Sequence, residues 1–160
     1  MKLIKKIIKL NAIILLYILS CNAVINDYLF ATVGNKAVTH SDIVDEVKII
    51  LLLNGKSFSE EMREQLEGSA IKSTIKRRIK EIEIEKYPSL EFSNTDLENE
   101  LNQLAKNIGM DLDTLKITSE INGIDFSSIN DQVKTELLWN SLIFEMYKNR
   151  LTINLEEIAE

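Results

Sequence analysis

Scarcity is the first feature of this 160-residue chain: one cysteine, one histidine, one tryptophan, one proline and five glycines. Each shortage closes off some chemistry. Cys21, the only cysteine, can form no internal disulfide, dithiol couple or thiolate metal cluster. His40 has no second imidazole or cysteine cluster with which to share a zinc ion, and no nucleophile motif lies near it. It reads as an exposed residue at a loop-to-helix junction. Asp111-Leu112-Asp113 lacks the glycine and distal glutamate that a calcium loop needs, and no glycine-rich phosphate loop is present. No cofactor and no metal site are expected, and no catalytic residue stands out. Carboxylates are plentiful, so an acid/base pair hidden among them stays open at this point.

The first 23 residues have the pattern of a signal peptide. Lys2, Lys5, Lys6 and Lys9 form a basic front, and Leu10 to Leu19 is apolar except for Asn11. Cys21 and Ala23 then supply small residues two apart, as a signal peptidase requires. The apolar run is shorter than the roughly 20 residues of a membrane-spanning helix. Cleavage after Ala23 would leave Val24 to Glu160 as the mature domain. Ile18-Leu19-Ser20-Cys21 is similar to a bacterial lipobox, with Leu19 as a departure, so a lipid anchor on Cys21 is a second route. An uncleaved anchor beginning at Leu3 is a third, interrupted by its lysines. All three place the rest of the chain outside the cytoplasm, in the periplasm.

Without those four lysines, 15 basic residues face 25 acidic ones, a net charge of −10. That sign repels phosphate backbones and anionic headgroups and argues against nucleic acid as a partner. About 130 residues suffice for one domain with a single core.

The periodicity predicts a mainly α domain: a short N-terminal β-hairpin, then about five helices. Tyr28 to Val33 and Ala37 to Thr39 are β-prone runs around Gly34-Asn35-Lys36. Thr39 or Ser41 can cap a first helix whose stripe is Ile43, Val47, Ile50 and Leu51, with Gly55 as its stop. Ser57 or Ser59 opens a second helix that runs toward Lys86, with Ile71, Ile75, Ile79 and Ile82 as its stripe. Gly68 loosens its first half, and Pro88 lies beyond its end. A third starts at Ser93, with Asp96 at the capping-box position, and buries Leu97, Leu101, Leu104 and Ile108 before Gly109. Asp111 caps a short fourth that buries Leu112, Leu115 and Ile121 and stops at Gly123. The fifth runs from Asp125 to about Arg150, with Phe126, Ile129, Val133, Leu137, Phe144 and Tyr147 near one face. Leu151 to Ile153 is extended, and Asn154 with Glu157 opens a last turn.

Two clusters invite a functional reading beside a plain structural one. Lys72, Lys76, Arg77, Arg78 and Lys80 form either a dock for an acidic segment or a solvated face with Arg77 and Glu81 paired at i, i+4. Glu81, Glu83 and Glu85 read as a solvated flank. Leu51-Leu52-Leu53 cannot all face one stripe; Phe58 follows in a loop, and Trp139, Ile143 and Met146 sit to one side of the last long helix. These form either a wide core face or an exposed apolar groove for unfolded chains. The residues singled out as client-binding candidates are Leu52, Phe58, Trp139 and Met146.

The order of elements resembles the N-terminal domain of SurA-type periplasmic chaperones. The resemblance begins at Tyr28 to Thr39 followed by Ser41-Asp42-Ile43-Val44-Asp45 and continues through the helix from Ile71 to Lys86. It then takes in Phe92-Ser93-Asn94-Thr95-Asp96-Leu97, the Ile108 to Leu115 junction, Gly123-Ile124-Asp125-Phe126 and Arg150-Leu151-Thr152-Ile153. It covers essentially all of 24–160. It implies a chaperone domain that holds unfolded exported or outer-membrane proteins without ATP or metal. Relatives continue into one or two parvulin-type prolyl isomerase domains and return a C-terminal segment that packs into this domain. The present sequence ends at Glu160 before either, so the resemblance transfers no isomerase residues and no enzyme activity is expected. Apolar surface that the returning segment would cover implies a weak homodimer or a bound client. The alternatives are an envelope scaffold with one specific partner, or a non-catalytic subunit of a prolyl isomerase.

Overall fold

A computed structural model describes residues 27–148. The signal segment, Cys21, the extended run at Leu151 and the final helical turn lie outside the described residues. The architecture is an antiparallel hairpin, β1 (Leu29–Val33) and β2 (Lys36–Thr39), followed by α1 (His40–Leu53), α2 (Glu60–Ile84), α3 (Asn94–Asn107), α4 (Leu112–Ile121) and α5 (Phe126–Tyr147). This is the expected class and order.

The hairpin turns on two residues, Gly34 and Asn35, one fewer than the pattern predicted. Gly34 takes φ of 58° and Asn35 does not share the positive sign, the arrangement of a type II′ turn. The register slips between Leu29 and Ala31, so Phe30 is an extra residue in β1. Beyond the bulge, Ala31 and Val33 face inward with the fully buried Val38.

Helix starts follow their capping residues. Of the two candidates at α1, Thr39 is the cap: its hydroxyl accepts from the Asp42 N–H, and the Asp42 carboxylate accepts in return from the Thr39 N–H at 2.8 Å. Ser59 caps α2, Ser93 caps α3, and Asp111 and Asp125 cap α4 and α5. Three helices end alike. After α1, α3 and α4 a glycine follows the C-cap, and the next N–H donates back across the last turn. The donors are Lys56 to Leu51, Met110 to Ala105 and Ile124 to Ser119. The third closure drops Ile124 into the core, 2% exposed.

α1 explains the run of three leucines. It is buried on two sides. Ile43, Val47 and Leu51 pack with Val38 and with Ala70 of α2. Ile49 and Leu52 pack into a second cluster with Leu101 and Ala105 of α3, Leu115 of α4, and Ile124 and Ile129. Leu53 is half-buried against that second cluster. Consecutive residues are about 100° apart on a helix, so three in a row serve three directions when neighbours lie on most sides.

Several expected stripe positions differ. Ile79 is 52% exposed, whereas Ala70 and Thr74 are the buried residues of α2. Repeated i, i+4 steps advance about 40° each, so a stripe drawn that way drifts off the contact face. Ile121 is 79% exposed, because the buried side of α4 is the one that carries Leu115 and Ser119; Ile124 takes the buried position beyond the helix end. Phe144 and Tyr147 are also exposed, and Leu142 is the buried residue near that end of α5. Gly68 lies inside a continuous α2.

Two outcomes follow. Gly34 and Gly55 both hold positive φ, 58° and 64°, but an added Cβ at Gly34 meets Ile82 Cδ1 at 3.1 Å and at Gly55 meets nothing within 4 Å. Gly55→Ala should therefore show the backbone cost alone, about 1–2 kcal/mol, and Gly34→Ala should exceed it. Equal losses in urea unfolding would rule out the Ile82 contact as a constraint. The second concerns acid. Asp111 accepts from the Thr114 backbone N–H and Asp125 from that of Ser127, and these bonds hold both carboxyls below their usual value of about 4. Between the folded and unfolded values the unfolded chain binds more protons, so this stability is complete above about pH 4 and is lost as pH falls through the folded values. D111N D125N should lose less stability than the wild type between about pH 5 and pH 2; parallel curves would exclude the caps as the source.

Candidate functional site

Glu46 is the most unusual side chain of the interior: a carboxylate only 4% exposed, on α1 between the buried Ile43 and Val47. It accepts from Ser73 Oγ at 2.5 Å, from Gln132 Nε2 at 3.0 Å and from the Arg77 guanidinium. Ser73 and Arg77 belong to α2, and Gln132 to α5, so one carboxylate ties three helices. Arg77 thus pairs with Glu46 rather than with Glu81. Arg77 turns inward, and Glu81 goes instead to Arg78, which also reaches Asp42 at 3.4 Å. The sequence reading passed over Glu46, although a carboxylate inside an apolar stripe was a visible signal.

The basic cluster is largely neutralised within the fold. Arg77 and Arg78 have the partners just named, and Lys80 bridges both Glu136 carboxylate oxygens at 2.6 and 2.5 Å. Lys80 also lies 5.7 Å from the Trp139 ring centroid. Lys72 and Lys76 are exposed and make no ion pair among the described residues. Three of the five charges are therefore not free to dock an acidic segment. The acidic flank is similarly engaged: Glu83 pairs with Lys86, and Glu85 with Lys36 of the hairpin. His40 is half-buried rather than exposed, its ring 4.9 Å from that of Tyr28. Among the described residues no group of three His, Cys, Asp or Glu is placed to hold a metal ion. No described helix is long and apolar enough to cross a membrane.

The concave surface lies above the Glu46 junction. A cleft of about 420 Å³ opens between α2, α3 and α5. Leu53, Leu104, Ile129, Val133 and Leu137 give it apolar lining, and two lysines, an arginine, two glutamates and four carboxamides also line it. A second, shallower hollow of about 480 Å³ lies between α5 and the segment at Ser89 to Glu91, with Leu90 and Phe144. Leu137 and Asn140 line both, so the two form one trough along α5. From Ile129 to Phe144 it extends about 22 Å at about 1.5 Å per residue. That length accommodates about six residues of extended chain.

The four client-binding candidates do not come together. Leu52 is core, 7% exposed, and is withdrawn as a surface residue: a helix packed on two sides buries it. Phe58 is 37% exposed in the loop before α2 and does not line the trough. Trp139 is half-buried on α5 beside Lys80. Met146 is 49% exposed, near Phe144 at the far end of the same helix. The lining residues Leu104, Val133 and Leu137 had been read only as core stripes. The helical period marks a face without telling which part of it a neighbour leaves uncovered.

No protein-family model matches the chain, and no curated protein matches it.

Removing one partner of a buried ion pair strands the other. Glu46→Leu should cost about 3–5 kcal/mol, and so should Arg77→Leu. The double variant, which leaves no charge stranded, should lose less than the sum of the two. A double-mutant cycle in urea that proves additive would show that the two side chains do not depend on each other.

Proposed function

We propose that the chain is a SurA-type holdase domain that keeps exported polypeptides unfolded and soluble outside the cytoplasm without ATP. The single observation carrying this reading is the trough along α5, an apolar-lined channel long enough for extended chain and open at its surface. Around its far end Ile143, Phe144, Met146 and Tyr147 are all exposed. An apolar channel takes side chains of many shapes because hydrophobic contact is non-directional. The hairpin followed by five helices has the order that the resemblance implies, and the N-terminal signal pattern supports export to the compartment where such clients occur.

The expected behaviour is broad suppression of aggregation. Light scattering should fall when unfolded outer-membrane β-barrel proteins are diluted into buffer containing this chain, for several clients of unrelated sequence. Phe144→Ser, at a 60% exposed position, should raise the concentration needed by about ten-fold, about one buried side chain's worth of apolar contact, while helix content is unchanged. Suppression of one client alone would favour a scaffold with a specific partner. No suppression of any client would end the holdase reading.

A further inference from the structure

We infer that the trough recognises the polypeptide main chain itself, through carboxamides on two of the helices that line it, α3 and α5. This rests on the holdase reading and adds what is recognised. Gln103 and Asn107 stand one turn apart on α3; Gln132 and Asn140 stand two turns apart on α5. A carboxamide carries two N–H donors and a carbonyl acceptor, the same groups a peptide unit carries, so each can match a peptide group in either direction. Three of the four make a side-chain hydrogen bond within the fold. Gln103 Nε2 donates to Asn107 Oδ1 at 2.8 Å, which leaves the Asn107 amino group and the Gln103 carbonyl without a partner among the described residues. Gln132 Nε2 is held by Glu46 at 3.0 Å, which leaves its carbonyl. The Asn140 side chain makes no hydrogen bond among the described residues and lines both hollows.

Charge points to the same occupant. Arg77 is neutralised by Glu46 and Lys80 by Glu136. In the cleft the lining charges without an ion-pair partner among the described residues are Lys76 on α2 and Glu100 on α3, one of each sign, and Glu91 adds one carboxylate in the second hollow. A cleft whose charges balance gives no advantage to an acidic or basic tail and complements uncharged peptide groups on an apolar strip. The occupant is therefore an extended, uncharged stretch of unfolded chain. Alternate side chains lie on Val133 and Leu137, and its N–H and C=O groups meet the carboxamides. Recognition of this kind is indifferent to sequence because every residue but proline offers the same pair of groups.

The test uses the full chain and a fluorescein-labelled octapeptide of alternating valine and threonine. Its comparison is the same peptide with alternate amides replaced by esters, which removes N–H donors and keeps every side chain. Fluorescence anisotropy should show the ester peptide binding about ten-fold more weakly. Asn140→Leu, at an exposed position, should weaken the amide peptide and narrow its lead over the ester, with circular dichroism unchanged. Equal affinity for amide and ester peptides would overturn main-chain recognition and leave the holdase reading standing. Failure of both peptides to bind, in a protein that still suppresses aggregation, would also overturn it. Failure to bind together with failure to suppress would remove the holdase reading as well.

Discussion

A carboxylate taken out of water must find its compensation in the protein, and Glu46 finds it on two other helices at once. Its partners Ser73, Arg77 and Gln132 can satisfy it only at one relative placement of α1, α2 and α5. Apolar contacts alone tolerate sliding, because they reward area and not direction. A hydrogen-bonded charge does not tolerate it. Arg77 and Gln132 also line the cleft, so the junction that fixes the helices also sets the spacing of two of its walls.

The rest of the fold is arranged around the same helix. α1 has the hairpin and α2 on one side and α3, α4 and α5 on the other, so two hydrophobic clusters share it. The hairpin is held at several points: Val38 in the first cluster, the Ile82 side chain against Gly34, and the Lys36–Glu85 pair. The linker after α2 is held by Lys134 over the Phe92 ring at 5.0 Å. These contacts place Leu90 and its neighbours beside α5, where they extend the cleft into a trough.

Local chemistry was legible in the sequence; long-range placement was not. Ser93, Asp111 and Asp125 were legible as helix starts, and Thr39 and Ser59 each as one of two candidate caps, because capping needs only the next three residues. The stops after α1, α3 and α4 were equally local. Ile79 and Ile121 failed because a period assigns a residue to a face, and the neighbours decide whether that face is covered. Leu52 failed for the opposite reason, since α1 has neighbours on two sides. The Arg77 pairing failed because Glu46 lies 31 positions away, while Glu81 is one turn along. The cleft was invisible as such, because it is the space left between three helices, and no single helix carries its signature.

A trough built from the sides of helices has a nearly fixed width, and its occupant must do the adapting. On the holdase proposal, an unfolded chain entering it would give up about 1–2 kcal/mol of backbone freedom for each residue it straightens. About six residues forfeit a large part of what their contacts return. Such a complex is weak, and weak complexes of this kind differ from tight ones mainly in how soon they come apart. On the holdase proposal, departure would then need no motor, hydrolysis step or second protein. A client that began to fold would withdraw its extended segments, and the channel would be left with nothing to hold.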